Sequence, residues 1–140
     1  MTGKALFGLT LAALLTGCTA HSGVAEPEQA CAAQNRMIQT TLYFGLSRPA
    51  GPAITSKEWQ GFVDTDVTPR FRDGLTVFDA RGQWLGSDGN VAREPSKALV
   101  LIHDRNDTSE REIEALRAIY KTRFAQESVM RVDQNVCVQF

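Results

Sequence analysis

The chain has 140 residues with 15 basic and 16 acidic side chains, a formal charge of −1. This balance gives no electrostatic basis for a nucleic-acid partner. The length supports one modest core and leaves no room for a second domain.

Met1 to Lys4 carry one positive charge, and Ala5 to Leu15 form an apolar or small run of eleven residues. That run is too short for a helix to cross a bilayer, and its layout is that of a secretory signal. It closes on Leu15-Thr16-Gly17-Cys18, which resembles a bacterial lipoprotein signal. The resemblance implies that Cys18 becomes the mature N-terminus, joined to diacylglycerol through a thioether. Acyl chains at about 0.8 kcal/mol per buried methylene would then anchor the protein in the cell envelope, on the periplasmic side. Thr19 in place of aspartate implies outer rather than inner membrane in a Gram-negative host. The alternative is a plain secretory peptide in which Cys18 is incidental. Removal of residues 1–17 takes Lys4 with it and leaves 123 residues, with 14 basic against 16 acidic side chains.

Residues 18–30 are small and polar, with one proline and no apolar period, as expected of a flexible tether. A single domain is expected over 31–140. It opens on Cys31, and with Cys18 committed to lipid only Cys137 remains to pair with it. An exported chain favours a disulfide between them over two buried thiols.

MIQTTLYFGL (37–46) alternates as a strand. Thr55-Ser56-Lys57-Glu58 is a capping box, and Trp59, Phe62, Val63 and Val67 supply the stripe of a helix that ends before Pro69. GLTVFDA (74–80) and ALVLI (98–102) read as strands. The connection between them is expected to bulge near Gly82 and turn at Asp88-Gly89. Ser109 and Glu112 are the expected start box of a second helix, buried through Ile113, Leu116, Ile119, Tyr120 and Phe124. Residues 128–133 and 136–140 read as strand, interrupted at Gln134-Asn135.

The order strand-helix-strand-strand-helix-strand predicts an α+β ferredoxin-like two-layer sandwich, a four-stranded antiparallel sheet with both helices on one face. In that fold the start of the first strand meets the end of the last. Cys31 and Cys137 sit at those ends, so topology and cysteine pairing agree.

TTLYFGLSRP (40–49), EWQGFVDTDVTPRF (58–71), GLTVFDARGQW (74–84), REPSK (93–97) and IYKTRFAQESV (119–129) together resemble an uncharacterised bacterial lipoprotein family, domain of unknown function 3574. The resemblance spans nearly all of the mature domain. It implies boundaries and fold but carries no activity, substrate or catalytic residue.

With His21 in the tether and His103 at a strand end, the folded part cannot assemble a multi-histidine metal site. Neither a Gly-x-Ser-x-Gly elbow, a phosphate loop nor a Cys-x-x-Cys pair occurs, so no catalytic residue, metal or cofactor is assigned. His103 reads as an exposed strand cap. The densest polar group lies on the hairpin between the second and third strands, with Asp79, Trp84, Arg93, Glu94 and Lys97. Two readings are open there. Arginine and lysine beside a tryptophan wall could hold a small anionic ligand or an envelope protein. The same charges could instead only pair across the strands, Asp79 with Arg93 or Lys97. Tyr43 falls on the sheet face opposite the helices, a face that a second copy of the chain or a ligand could cover, the alternative being an amphipathic face left exposed to solvent. The expected function is a lipid-anchored binding or accessory module. The alternative is a small enzyme with Tyr43, His103 or Glu94 as proton carrier.

Overall fold

Ile38, Thr40, Leu42 and Phe44 are buried in turn along one strand, and that single alternating face is the floor on which both helices pack. The computed structural model describes residues 31–85 and 89–140. The signal segment, the tether and Cys18 lie outside the described residues, as does Asp88 of the expected turn. The elements are β1 (Arg36–Gly45), α1 (Ser56–Phe62), β2 (Thr76–Leu85), β3 (Val91–His103), α2 (Asp107–Phe124) and β4 (Met130–Cys137). The sheet is antiparallel in the order β2-β3-β1-β4, the ferredoxin-like arrangement.

Thr55 caps α1 as expected: its hydroxyl accepts from the Glu58 amide, and Glu58 accepts from the Thr55 amide at 2.8 Å. That backbone bond, with the Thr55 hydroxyl and the Arg48 guanidinium, holds the Glu58 carboxyl down at about 2. Beyond Phe62 the chain widens into a π turn, Val63–Val67, which carries Val63, Asp66 and Val67 inward together. The predicted stripe of Trp59, Phe62, Val63 and Val67 is buried throughout. In the core the Phe44 ring meets Tyr120 at 4.5 Å, Trp59 at 5.3 Å and Phe62 at 5.5 Å between centroids. The Tyr120 hydroxyl donates to the carbonyl of Gly45 at 2.9 Å, tying α2 to the end of β1.

Four expectations change. The hairpin strands are longer than their apolar runs and pair without a break from Thr76↔Val100 to Leu85↔Val91, so Gly82 opposes Glu94 in plain register and no bulge occurs. Pro95 lies inside β3. Its carbonyl accepts from the Leu46 amide at 3.0 Å, so its donorless nitrogen faces past the end of β1 and costs no ladder bond with β2. The N-cap of α2 is Asn106, which accepts from the Ser109 amide at 2.8 Å. Asn106 opens the helix one turn before the expected box and frees Glu112 for an ion pair with Arg70. Finally, β4 runs through Gln134 and Asn135 unbroken, because both pair with β1.

Arg36 faces Cys137 across β1 and β4, and Cys31 and Cys137 are joined in a disulfide with their Cα atoms 5.7 Å apart.

Candidate functional site

The ladder registers divide the predicted hairpin group between two faces. Asp79, Arg93 and Lys97 share the parity of Leu99 and Leu101 and so lie on the helix side of the sheet. Trp84 and Glu94 lie on the opposite side with Tyr43. Asp79 opposes Lys97 directly and the two form an ion pair; Arg93 opposes Gln83. With Asp79 largely in solvent, the pair contributes a few tenths of a kcal/mol and pins register. Glu94 accepts from the Ser47 amide at 2.8 Å, and its carboxylate occupies the space a Cβ on Gly45 would need. Glu94 is thus a brace between β3 and the chain leaving β1. The expected pocket of arginine, lysine and tryptophan does not form, because the pleat sends its members to opposite sides.

The face opposite the helices holds five positions from β1, five from β2, six from β3 and four from β4, and among these Glu94 is the one charge. Arg36, Asp79, Arg81, Arg93, Lys97, Arg131 and Asp133 all share the other parity. One row crosses all four strands as Met130, Tyr43, Ala98 and Phe78. Ala98, between Tyr43 and Phe78 in this row, is buried, while Met130 and Phe78 stand 57% and 58% exposed. The adjacent row is Val132, Thr41, Val100 and Thr76. Trp84 extends the face along the hairpin arm that outruns β1, and it is 51% exposed.

A second constellation lies on the helix side. His103 is buried, in contrast to its expected exposure. Its Nε2 is 2.8 Å from the Thr40 hydroxyl, which donates to Asp133 Oδ1 at 2.6 Å, and its Nδ1 is 2.9 Å from the carbonyl of Asp104. Burial alone would raise the Asp133 carboxyl. The bonds from Thr40 and Arg131 outweigh it and hold Asp133 below the ordinary carboxylate range. Arg131 also reaches Glu110 at 2.6 Å and Glu114 at 3.0 Å. The Glu110 bond leads in strengthening its hold on its proton, and burial opposes it. A cleft of about 320 Å³ opens beside this chain between β4 and the start of α2. Thr40 is fully buried, so its hydroxyl cannot meet a substrate even though it lies between an imidazole and a carboxylate. The sequence did carry a signal for this chain: Thr40 sits between Ile38 and Leu42 in the apolar alternation of β1 and is the one buried polar residue of that strand, and a buried hydroxyl requires partners.

A family model described as "Protein of unknown function (DUF3574)" matches residues 39–140. The chain belongs to that family. Among solved structures this DUF3574 chain is similar to a phage SAM lyase in complex with S-methyl-5'-thioadenosine. The TM-score is 0.57 at 16% identity, covering 73% of this chain and 90% of that one. The apo state of a phage SAM lyase gives 0.55 at 16% identity, over 76% and 93% of the two chains. CutA from Synechococcus elongatus PCC7942 gives 0.49 at 10%, over 74% and 79%. At these identities the likeness to the lyase is one of fold. No curated protein matches the sequence.

Proposed function

We propose that this DUF3574 protein is a lipid-anchored bacterial envelope protein that acts as a binding module, and that the partner met by its open sheet face is a second copy of the chain. The observation that carries the reading is the composition of that face: twenty positions, one charge, and three large side chains more than half exposed. A two-fold contact places each patch against itself. A patch almost without charge meets its copy with no like-charge repulsion, whereas a solvated face has no reason to exclude charge so completely. Twenty positions also match the roughly 20–30 residues per side of a stable interface. Trp84 and Phe78 are the expected anchors, since exposed aromatics carry a disproportionate share of binding at interfaces.

The catalytic alternative has no comparable support. Tyr43 lies in an apolar row, Glu94 holds the Ser47 amide, and both nitrogens of His103 are engaged.

The chain expressed from Thr19 onward is expected to sediment as a dimer. Phe78→Lys and Trp84→Lys should each give a monomer with unchanged helix content. A wild-type monomer at every concentration, or a dimer indifferent to both lysines, contradicts the reading. The anchor is tested separately by mass spectrometry of the protein extracted from membranes. The expected N-terminal peptide begins at Cys18 and carries diacylglycerol, and an unmodified start at Thr19 or Ala20 contradicts it.

A further inference from the structure

β2 is ten residues long and ends the sheet on one side, with no strand beyond it among the described residues. Its ladder fixes which of its backbone groups are left over. The Leu46 amide donates to the carbonyl of Pro95, so the odd-numbered residues of β3 turn their backbone groups to β1 and the even-numbered ones to β2. Glu94 opposes Gly82, and the even-numbered residues of β2 therefore bond β3. Val77, Asp79, Arg81 and Gln83 face the other way, and among the described residues their amides and carbonyls meet no partner. Proteins blunt such an edge by shortening it, by a bulge or a proline, or by lysines that repel a second copy. β2 has neither bulge nor proline, and its two charges, Asp79 and Arg81, are of opposite sign.

We propose that the outer edge of β2 docks the same edge of a second copy, antiparallel about a two-fold axis through Ala80, so that two sheets continue as one. Charge selects this register. Outward backbone groups sit on odd-numbered residues and must meet odd-numbered partners, so the axis passes through a residue and not between two. An axis through Asp79 sets two carboxylates opposite each other, and one through Arg81 sets two guanidiniums, both unfavourable. An axis through Ala80 sets Asp79 opposite Arg81 twice and pairs Thr76 to Trp84 end to end. An axis through Phe78 or Gly82 matches neither charge and pairs fewer residues. Arg81 opposes Pro95 in its own ladder and has no acidic partner among the described residues, and the Asp79 side chain is 87% exposed beyond its pair with Lys97. On the other side of the sheet the same register brings Phe78 opposite Gly82 and Trp84 opposite Thr76, an aromatic over a glycine and an aromatic beside a β-branched residue. Contact through the open face stacks two sheets in layers, whereas the edge extends one sheet, and the charges that set its register lie on the helix side. With ten residues a side against the roughly 20–30 of a stable interface, the edge is the weaker contact and forms where chains are concentrated.

Amide hydrogen exchange of the chain from Thr19, read residue by residue, tests this, because the outward amides of β2 alternate with those already bonded to β3. At millimolar concentration, exchange at Val77, Asp79, Arg81 and Gln83 is expected to slow by about tenfold or more, and to recover its free rate on dilution. The amides of Phe78 and Ala80 bond β3, so they stay protected throughout and report that the domain is folded. Asp79→Arg and Arg81→Asp each set like charges opposite each other and are expected to abolish the slowing. The double variant Asp79→Arg/Arg81→Asp restores opposite charges and is expected to restore it. Outward amides that exchange at the free rate at millimolar concentration, whether the edge stays bare or is kept for another protein's strand, overturn the self-pairing. So does a slowing that the single reversals leave in place or that the double variant fails to restore. Stacking through the open face leaves these amides in water, so a dimer whose outward amides exchange freely keeps the face contact and rejects the edge.

Discussion

Phe62→Ala is expected to lower the free energy of unfolding by about 3–5 kcal/mol, the range for truncating a fully buried phenylalanine. Phe62 has no exposed surface, and its ring meets those of Phe44, Trp59, Tyr120 and Phe124 at 5.1 to 6.4 Å. The four remaining rings cannot collapse into the space left by the fifth. The cavity therefore persists, and its cost adds to the lost transfer energy. Arg123 sits over the same ring at 5.9 Å and bonds Asp66 at 2.7 Å, so the truncation also loosens the partner of a buried carboxylate. Burial would raise Asp66, but Arg123 and Thr65 more than reverse it and hold the carboxyl low. Chemical denaturation measures the loss, and an unchanged midpoint would mean that α1 does not pack through this face.

Breaking the Cys31–Cys137 disulfide is the second large effect. The bond closes 106 residues, nearly the whole domain, and the chain-entropy model assigns such a loop about 4 to 5 kcal/mol. Both ends are already held beside each other by the pairing of Arg36 with Cys137 and by the Val138 amide donating to Asn35 at 2.8 Å. The bond therefore acts mainly by limiting the unfolded chain. The Cys31→Ser/Cys137→Ser double variant is expected to keep the native fold and melt at a markedly lower temperature. An unchanged melting temperature on reduction would contradict this.

Both effects rest on features that periodicity and spacing make visible. Trp59, Phe62, Val63 and Val67 repeat at helical spacing behind a capping box, and helix and core were legible from those residues alone. The pairing of Cys31 with Cys137 followed from the cysteine count of an exported chain, and element order agreed with it, because topology decides which chain ends meet. Most of the misread features are those where a residue's partner is remote in sequence. Asn106 is the exception: it caps α2 locally by accepting from the Ser109 amide three residues on, one turn ahead of the box expected at Ser109 and Glu112. Gln134 and Asn135 look like a break, yet β1 supplies their ladder partners. Pro95 fell in the expected connection between the strands at 74–80 and 98–102, and only the register shows that it lies inside β3 with its missing donor beyond the end of β1.

The candidate site was legible in its ingredients and misread in its geometry. Asp79, Trp84, Arg93, Glu94 and Lys97 are near one another in sequence, but strand parity separates Trp84 and Glu94 from the other three. A hairpin read without its bulge gives that parity at once; the expected bulge at Gly82 concealed it. Tyr43 was placed correctly on the open face. Met130 and Val132, which complete its apolar rows, were hidden because β4 carries few apolar residues on its other side to mark the alternation. His103 looked exposed because it ends a strand, but it is buried against Thr40, 63 residues away, whose own partner Asp133 lies 93 residues along from Thr40.

The central claim is that the open face covers a second copy, and Trp84 reports on it directly. The chain contains two tryptophans, of which Trp59 is buried and Trp84 half-exposed. With Trp59→Phe, all tryptophan emission comes from Trp84. As the concentration of the chain from Thr19 rises, that emission is expected to shift to the blue and to lose its quenching by iodide, along one curve that matches the sedimentation isotherm. Emission that stays red-shifted and equally quenched at every concentration would contradict the account.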